Sequence, residues 1–427
     1  MALRLGTFNA RFLPHLPSNA RRATVLADRI RDAAYDLMVL TEVFSSRARR
    51  VLIERLADAY PWNVQHIGSR WIVREDSGLM VLSRLPFEAI PTSAEFGHPR
   101  IRASGSGAAP DWPHVWFVEY GDCTSSDCLA GKGAGYVRTR FGGRPLNIFF
   151  THLQAAYDYH GPRRQARTRQ VRSAQLQQLA GLVRAALGTD RAAAENTLIL
   201  GDLNVDGIRT LGAATAPEAN GSEWTEMLSL LGTLFPRGLR DVWDRHAPFG
   251  DPGHTFPAWD PTARRDYVLL SAADAELPLA AHHVTLDRNL AKPLNGSGHV
   301  SDHLGISVDL NLHQPGCHPL DAHHVAGPYD GAVLRGTIDH PGGLQWYRID
   351  HLGGVEIELG FPGANPGTAL EVYHAGDISR PLMLQSRNGG ADLESRRYTL
   401  AGDALIRVGE PTSEISGRYS LGVRPVM

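Results

Sequence analysis

One run of ten residues, Thr197–Asp206, combines an apolar strand signal with two polar side chains that suit phosphoester chemistry. Leu198–Leu200 predict a buried strand, and the chain then delivers Asp202 and Asn204. Because side chains alternate along a strand, these two point the same way from its end. A carboxylate can orient a water molecule or hold a cation, and an amide can bind a phosphate oxygen. The run therefore indicates a site for phosphoester chemistry.

The same placement recurs elsewhere in the first 312 residues. Polar side chains at the ends of other apolar strands are Asn9, Glu42, His152, Asp266, Asp302 and His303. Any one of them alone is more often a cap or a turn residue than a catalyst. Six together favour a catalytic site, because a rigid sheet can hold such a constellation in place.

The elements that must position these residues show strand and helix signals in alternation. Strands are predicted at Arg4–Asn9, Leu37–Glu42, Leu79–Ser83, Val115–Tyr120, Tyr136–Phe141, Leu146–Thr151, Leu198–Gly201, Tyr267–Leu270 and Ile306–Leu310. Helices are predicted at Arg21–Ala34, Ala48–Ala59 and Pro162–Leu187. Several strands precede and follow each helix, which favours an α+β or α/β sandwich over a singly alternating barrel.

Length and composition predict two domains joined by a linker. The chain has 427 residues, more than one core normally serves. Residues 1–312 form the predicted catalytic domain, and the Pro-, Gly- and His-rich range 313–327 reads as a linker. Residues 328–427 show short period-two runs between Gly-rich turns, which predict a small all-β sandwich.

Charge and hydropathy exclude some classes of protein. The net charge of −2 gives no global electrostatic case for a nucleic-acid binder. No apolar run approaches the ~20 residues of a membrane span. Cys123 and Cys128 flank a short polar loop and are close enough in sequence to form a small disulfide, which is weak support for an oxidising compartment.

The ordered set of polar residues resembles a known family. The set is Asn9, Glu42, His152, Asp202-Leu-Asn204, Asp266 and Ser301-Asp302-His303. In this order it resembles the endonuclease/exonuclease/phosphatase superfamily with the DNase I-like fold, over about residues 3–312. The resemblance implies an α+β four-layer sandwich, in which two mixed sheets pack face to face with helices outside. It places the site at one edge of the paired sheets.

Within that superfamily the chain looks most like the bacterial neutral sphingomyelinase C branch. The stretches that carry this likeness are Glu42-Val-Phe, Asp76–Pro86, Lys132–Arg140, Thr151-His-Leu-Gln-Ala155 and Gly253-His-Thr-Phe with Trp259-Asp260. One segment departs from the pattern. Secreted lytic members carry an aromatic hairpin shortly before the Ser-Asp-His motif, whereas 284–294 contains no Trp, Phe or Tyr. Strong membrane lysis is therefore not expected.

The resemblance also implies a role for each residue. Glu42, Asn9 and Asp302 are expected to hold Mg²⁺ or Mn²⁺. His303 is the expected general base, oriented by Asp266 or Asp302, and Asp202 is the alternative base. His152 and Asn204 are expected to donate hydrogen bonds to phosphate oxygens. The predicted substrate-binding residues are Lys132 and His254.

The sequence thus predicts a metal-dependent phosphoric diester hydrolase that acts on sphingomyelin or a related phospholipid, with peripheral membrane contact. The alternatives are a nuclease of the same fold, which the net charge disfavours, an inositol-phosphate-type phosphatase and a catalytically dead binding module. Residues 328–427 resemble the bacterial pre-peptidase C-terminal domain, which accompanies secreted hydrolases. This likeness favours export, although no leader precedes the strand signal at Leu3, so the cytoplasm stays the alternative compartment. The oligomeric state stays open.

Overall fold

The protein is described from a computed structural model. The residues described are 2–68, 74–91, 93, 95–96, 102–104, 114–156, 161–207, 218–236, 238–243, 253–271, 279–294, 299–312, 323–325, 333–338, 345–349, 353–360, 370–374, 383–385, 393–400, 404–408 and 417–425. The chain divides into two compact units, the first of which spans Met1–Trp243, Asp251–Pro278 and Thr285–Asp309. Among the described residues, no helix has the length and apolar character to cross a membrane.

Thirteen strands and five helices are described before residue 313. The strands are β1 (Ala2–Asn9), β2 (Leu37–Thr41), β3 (Trp62–His66), β4 (Met80–Ser83), β5 (Arg102–Ser104), β6 (Trp116–Glu119), β7 (Gly133–Phe141), β8 (Arg144–His152), β9 (Asn196–Asp202), β10 (Arg240–Asp241), β11 (Asp266–Ser271), β12 (Leu279–Asp287) and β13 (Gly305–Leu312). The helices are α1 (Asn19–Ala33), α2 (Ser46–Leu56), α3 (Gly161–Ala194), α4 (Glu218–Gly232) and α5 (Arg288–Ala291).

These strands form two mixed sheets. The first has the order β12-β13-β1-β2-β4-β3-β5, and the second has the order β10-β11-β9-β8-β7-β6. The central strands β1 and β2 contact β8, β9 and β11 of the other sheet, so the two sheets face each other. Every residue of β2 and β9 is buried, as expected for strands covered on both faces.

Helices cover the outer faces of both sheets. Leu26, Ile30 and Leu52 of α1 and α2 pack with β1, β2 and β4 in one apolar cluster. Leu179 and Val183 of α3 pack with β7, β8 and β9 in another, together with α4. The predicted four-layer α+β sandwich with two mixed sheets is confirmed.

Strand register brings the polar residues of the second sheet together. The parallel pair β8 and β9 sets His152 opposite Asp202. The antiparallel pair β9 and β11 sets Asp266 opposite the same Asp202. In the first sheet, the parallel pair β1 and β2 sets Asn9 opposite Thr41, so that Glu42 follows directly. One end of each sheet therefore carries its share of the site.

The sequence missed several elements of this unit. Helix α4 was not predicted, and β3, β5, β10 and β12 were absent from the predicted strands. All four strands lie at or next to sheet edges, where half-buried residues mix with polar ones and the apolar alternation is weak. Strand β2 ends at Thr41 rather than at Glu42, because Glu42 adopts a positive φ of 56°.

The last part of the chain is all-β in the residues described. Its strands are β14 (His323–Val325), β15 (Val333–Ile338), β16 (Gln345–Ile349), β17 (Gly353–Gly360), β18 (Leu370–His374), β19 (Met383–Gln385), β20 (Leu393–Leu400), β21 (Ala404–Val408) and β22 (Gly417–Pro425). They form sheets of order β14-β16-β21-β18-β19 and β15-β22-β17-β20. Trp346 and Tyr373 pack 5.3 Å apart between ring centroids and are both buried. The predicted small all-β region is confirmed.

One segment of the predicted linker is a strand. His323–Val325 pairs in parallel with Tyr347–Ile349. Three residues are too few to show an apolar alternation in the sequence, and backbone hydrogen bonds hold the strand without it. The rest of 313–327 lies outside the described residues.

Candidate active site

The amide of Asn9 joins the two sheets at the centre of the site. Its Nδ2 donates to Glu42 Oε1 and to Asp202 Oδ2, at 3.0 Å each. The backbone N–H of Arg11 donates to its Oδ1 at 3.0 Å, which fixes the orientation of the amide. Asn9 therefore turns its nitrogen, not its oxygen, towards the carboxylates. In this arrangement Asn9 holds two carboxylates beside each other, and its predicted role as a metal ligand stays a prediction.

Glu42 is held by a backbone conformation that most residues avoid. Its φ of 56° turns the chain sharply after β2. The next residue, Val43, donates its N–H to Gly78 O at 2.8 Å and accepts a bond from Arg49. Buried Asp76 anchors both partners, accepting from Arg49 and from the Gly78 N–H. Such strain persists only where the surroundings enforce it and is common at active sites.

The end of β9 depends on a glycine. Gly201 has a φ of 140°, and a Cβ at this position would lie 1.9 Å from the carbonyl oxygen of Thr151. Only glycine allows the strand to pass this closely to β8. Beyond it, the Asn204 N–H donates to Asp202 Oδ1 at 3.0 Å, and Asn204 Nδ2 donates to Leu153 O at 3.2 Å. Asp202 and Asn204, which the sequence analysis singled out together, thus belong to one hydrogen-bonded turn.

His303 is oriented by Asp266, as the sequence predicted. Its Nδ1 lies 2.7 Å from Asp266 Oδ2, which leaves Nε2 facing Asp202 Oδ2 at 3.8 Å. Ser301 fixes the backbone here by donating to Asn9 O and accepting from the His303 N–H. Burial lowers the pKa of His303, but the negative charges of Asp266 and Asp202 outweigh it and raise that pKa to about 10. The ring is thus a proton carrier between two carboxylates.

His152 lies between the carboxylates and a buried lysine. Its Nε2 is 3.6 Å from Asp202 Oδ2, 3.8 Å from Glu42 Oε1 and 3.0 Å from Lys132 Nζ. An ammonium group has no acceptor, so Nε2 accepts from Lys132 and the ring proton lies on Nδ1. Burial and Lys132 hold the pKa of His152 well below its usual range. His152 is therefore neutral and accepts a hydrogen bond here, whereas the sequence predicted a donor to phosphate.

Lys132 forms the far end of the same chain of contacts. Its Nζ also donates to Asp127 Oδ2 at 2.7 Å and to Leu153 O at 2.9 Å. Asp127 accepts a further bond from the Ala155 N–H. Lys132 lines the cleft, as the prediction of substrate contact requires, and it also ties His152 to the loop that carries Asp127.

The carboxylates of Glu42 and Asp202 are suited to a cation. Burial raises the pKa of Glu42 to about 7, with Asp302 adding to it, and burial raises the pKa of Asp202 to about 6, with Asp266 adding to it. Two groups of atoms lie within metal-binding distance of one another: Glu42, His152 and Asp202, and Asp202, Asp266 and His303. Buried oxygens whose negative charge lacks a cation fit a hard divalent ion.

Two predicted site residues have different partners from those expected. Asp302 Oδ2 pairs with Arg11 Nε at 3.2 Å, so Asp302 lies at the cleft but outside both groups of metal-binding atoms. The predicted metal ligands Glu42, Asn9 and Asp302 stay a prediction, and the two groups of metal-binding atoms share only Glu42 with them. His254 Nδ1 lies 3.0 Å from Pro261 O within its own turn, and His254 does not line the described cleft. The turn holds one nitrogen of this ring, and the predicted contact of His254 with substrate stays a prediction.

Arg22 is a supporting residue that sequence reasoning missed. Its guanidinium donates to the carbonyl oxygens of Ala10, Arg11 and Val300, and thus joins the loop after β1 to the loop that carries His303. Burial lowers its pKa to about 10, so it stays charged at neutral pH. Its position on α1 looks like one of many surface arginines in the sequence, and only the tertiary fold reveals the contact.

An open cleft of about 460 Å³ leads to this cluster. We call the cluster of Asn9, Glu42, His152, Asp202 and His303 the floor. The apolar residues Leu13, Pro14 and Leu129 line the mouth of the cleft, and we call them the rim. Leu129 has 56% of its surface exposed. The cleft thus combines a charged floor with an apolar rim.

A disulfide fixes the loop that carries part of this rim. Cys123 and Cys128 are bonded to each other, and Cys128 lies within the short helical turn Ser125–Leu129. The Thr124 N–H donates to Gln154 Oε1, and the Glu75 N–H donates to Leu129 O at 2.7 Å. The loop is therefore attached on both sides.

Comparisons with known proteins agree with this geometry. The endonuclease/exonuclease/phosphatase family matches residues 6–303. Human sphingomyelin phosphodiesterase 2 is 27% identical over 161 residues, which is 37% of this chain and 32% of the human protein. The chain thus spans about a third of the length of that relative.

Solved structures share the fold at low identity. Beta toxin from Staphylococcus aureus has a TM-score of 0.51 and 18% identity, covering 72% of this chain and 99% of the toxin. Sphingomyelinase C from Streptomyces griseocarneus has a TM-score of 0.48 and 20% identity, covering 73% of this chain and all of that chain. The first of these likenesses supports the fold.

Proposed function

Because this chain belongs to the endonuclease/exonuclease/phosphatase family, we propose that it is a Mg²⁺-dependent phosphodiesterase that acts on sphingomyelin or a related phospholipid. The reaction is hydrolysis that releases the phosphorylated headgroup. The observation that carries this proposal is the contrast between floor and rim. A phospholipid places a charged phosphodiester next to apolar chains, and the cleft offers matching surfaces in that order.

The volume of the cleft supports a small polar headgroup at the floor. About 460 Å³ lies within the range of small-molecule sites. Phe44 and Ala155 extend the apolar lining, and Arg11, Glu42 and Lys132 add charged groups to the same cleft. A phosphodiester without an apolar neighbour would gain nothing from the first group of residues.

His303 supplies the general base in this proposal. Asp266 holds Nδ1 and leaves Nε2 directed at the Asp202 side, where an attacking water molecule can lie. With its pKa raised to about 10, the His303 ring is protonated at neutral pH, so Nε2 can act as the base only after the Asp202 charge that raises this pKa has been offset, as a bound cation would do. The water then gives its proton to Nε2 as its oxygen bonds to phosphorus, and Asp266 stabilises the imidazolium that forms. The phosphorus–oxygen bond to the lipid alcohol breaks, and the leaving alkoxide takes a proton from solvent water. Asp202 is the alternative base, since its carboxylate faces the same space.

Other residues bind and orient the phosphate. Asn9 positions the Glu42 and Asp202 carboxylates, and the Asn204 amide and the Lys132 ammonium are donors beside the floor. Glu42 and Asp202 would hold Mg²⁺ or Mn²⁺ through their carboxylate oxygens. When bound, such an ion offsets negative charge that develops on the phosphate oxygens.

A nuclease of the same fold is the second candidate. Exposed Arg163, Arg164 and Arg167 at the start of α3 are the observation that favours it, because arginines bind phosphate backbones. The apolar rim does not fit a sugar–phosphate chain, so we rank this candidate second. We also propose that the protein is exported, on the support of its disulfide. The C-terminal all-β region is proposed to serve attachment or stability, as a pre-peptidase-like domain.

The test measures release of phosphocholine from sphingomyelin beside nicking of plasmid DNA, both with Mg²⁺. The wild type and His303→Ala are compared after circular dichroism has shown equal folding. We expect lipid hydrolysis in the wild type, its loss in the variant, and intact plasmid. Plasmid nicking without lipid hydrolysis would identify this chain as a nuclease and refute the lipid substrate.

A further inference from the structure

Two large apolar side chains are strongly exposed among the described residues, and both lie beside the catalytic cleft. Leu129 is 56% exposed on the disulfide-closed turn, and Trp259 is 58% exposed. The residue before Trp259, Ala258, donates its N–H to Asp302 O at 2.6 Å. Asp302 itself lines the cleft. Exposed leucine and tryptophan mark a contact surface when they occur together at a functional opening.

Arginines lie next to Leu129. Arg164 donates from Nε and Nη2 to Ser125 Oγ, at 3.1 and 2.7 Å, which attaches the start of α3 to the turn that carries Leu129. Arg163 precedes it in the same exposed first turn of the helix. An apolar tip beside positive charge is the combination that stable binding to an anionic membrane surface requires.

The turn cannot withdraw Leu129 from water. The Cys123–Cys128 bond closes it, Asp127 accepts from Lys132 and from the Ala155 N–H, and the Glu75 N–H holds Leu129 O. A side chain fixed in this exposed position loses little conformational freedom when a partner covers it.

We propose that Leu129, Trp259, Arg163 and Arg164 form a docking patch that binds the surface of a lipid bilayer containing anionic lipids. The inference rests on the proposed function, because a bilayer is where a phospholipid substrate lies. Leu129 enters the interface, and Trp259 lies at the headgroup level, where tryptophan is favoured. The arginines bind lipid phosphates and carboxylates. The patch then sets the mouth of the cleft against the headgroups.

The test measures binding apart from catalysis. The full chain carrying His303→Ala is mixed with vesicles of phosphatidylcholine with and without about 30% phosphatidylserine, free of sphingomyelin, and bound protein is measured by cosedimentation. We expect binding to the anionic vesicles only, weakened by salt. Arg163→Glu should reduce it about tenfold, and Leu129→Ser and Trp259→Ala about fivefold each.

Arg184→Glu is the matched control. It makes the same charge change on the same helix, about 30 Å from Arg164 at 1.5 Å per residue, and it should leave binding unchanged. Equal losses for Arg163→Glu and Arg184→Glu would overturn the patch, since net charge alone would then explain binding. Loss of binding to a single-stranded DNA oligonucleotide in Arg163→Glu, with vesicle binding intact, would overturn it in favour of a nucleic-acid surface.

The docking patch and the proposed function fail separately. Vesicle binding that depends on the patch, without sphingomyelin hydrolysis by the wild type, would support the patch and refute the substrate. Sphingomyelin hydrolysis by the wild type, with vesicle binding that does not depend on the patch, would support the substrate and refute the patch.

Discussion

The floor and the rim of the cleft are built in opposite ways. Floor residues are buried, apart from half-buried Glu42, lie at or beside strand ends, and are held by hydrogen bonds in which each carboxylate has a named partner. Rim residues lie on turns, and Leu129 exposes more than half of its surface. A fixed polar cluster can serve one reaction in many relatives, whereas a turn can change its apolar residues without disturbing that cluster. In the function proposed above, the floor carries the chemistry and the rim selects the substrate.

The largest effect should come from removing the base at the floor. His303→Asn should lower the rate about 10³-fold on sphingomyelin and on a soluble chromogenic phosphodiester alike, because proton transfer serves both substrates. His15 lines the same cleft next to the rim residue Pro14, so His15→Asn is the matched control and should change the soluble reaction less than threefold. Initial rates with both substrates measure this. Equal losses in the two variants would break the division between floor and rim.

The next effect concerns Arg22, which joins the loop after β1 to the loop that carries His303. Arg22→Met should lower the free energy of unfolding by about 3 kcal/mol, because it leaves carbonyl oxygens of Ala10, Arg11 and Val300 without their donor. Urea unfolding measures the change. The exposed Arg21→Met on the same helix is the control and should cost less than about 0.5 kcal/mol. A similar cost for both variants would show that the hydrogen bonds of Arg22 contribute nothing to stability.

A smaller effect is expected at the rim loop. Replacing both Cys123 and Cys128 by Ser should lower the free energy of unfolding by about 2 kcal/mol, from the entropy of closing a short loop. Hydrolysis of vesicle-bound lipid should fall more than hydrolysis of the soluble diester, because the loop presents Leu129. Parallel assays of the two substrates decide this. An equal fall would place the disulfide in support of the floor through Asp127 and Lys132.

The smallest effect is a pH dependence of cation binding. Glu42 and Asp202 have pKa values raised to about 7 and about 6, so the folded protein binds extra protons below those values. The cation-free protein should therefore lose stability as pH rises from about 5 to 8. Added Mg²⁺ should raise the melting temperature more at pH 8 than at pH 5.5, since protons no longer compete. In Glu42→Gln this difference should shrink. An equal rise in melting temperature at both pH values would contradict the binding of a cation at these carboxylates.

Much of the floor was predictable from sequence. Asp202, Asp266 and His303 end or begin strongly apolar strands, and such strands fix both their own position and that of their polar ends. The direction of hydrogen bonds was not predictable. Asn9 presents its nitrogen because the Arg11 N–H holds its oxygen, and His152 accepts because Lys132 lies beside it. These contacts depend on neighbours distant in sequence.

The rim was not predictable for a different reason. Leu129 follows a short polar loop, and Trp259 lies in an irregular segment, so neither belongs to a periodic pattern. The exposure of Leu129 depends on how its turn is attached to Gln154 and Glu75. Helix α4 is a different case, because Trp224, Met227 and Leu231 recur at helical spacing and the sequence analysis missed this signal.

The most direct test of the central claim is hydrolysis of sphingomyelin in water enriched in ¹⁸O, with Mg²⁺ and with products identified by mass spectrometry. The account predicts that the wild type releases phosphocholine carrying one ¹⁸O atom together with unlabelled ceramide, because water attacks phosphorus and the lipid alcohol leaves. Label in ceramide, or release of free choline, would contradict it. Either result would show that the floor does not perform the reaction proposed for it.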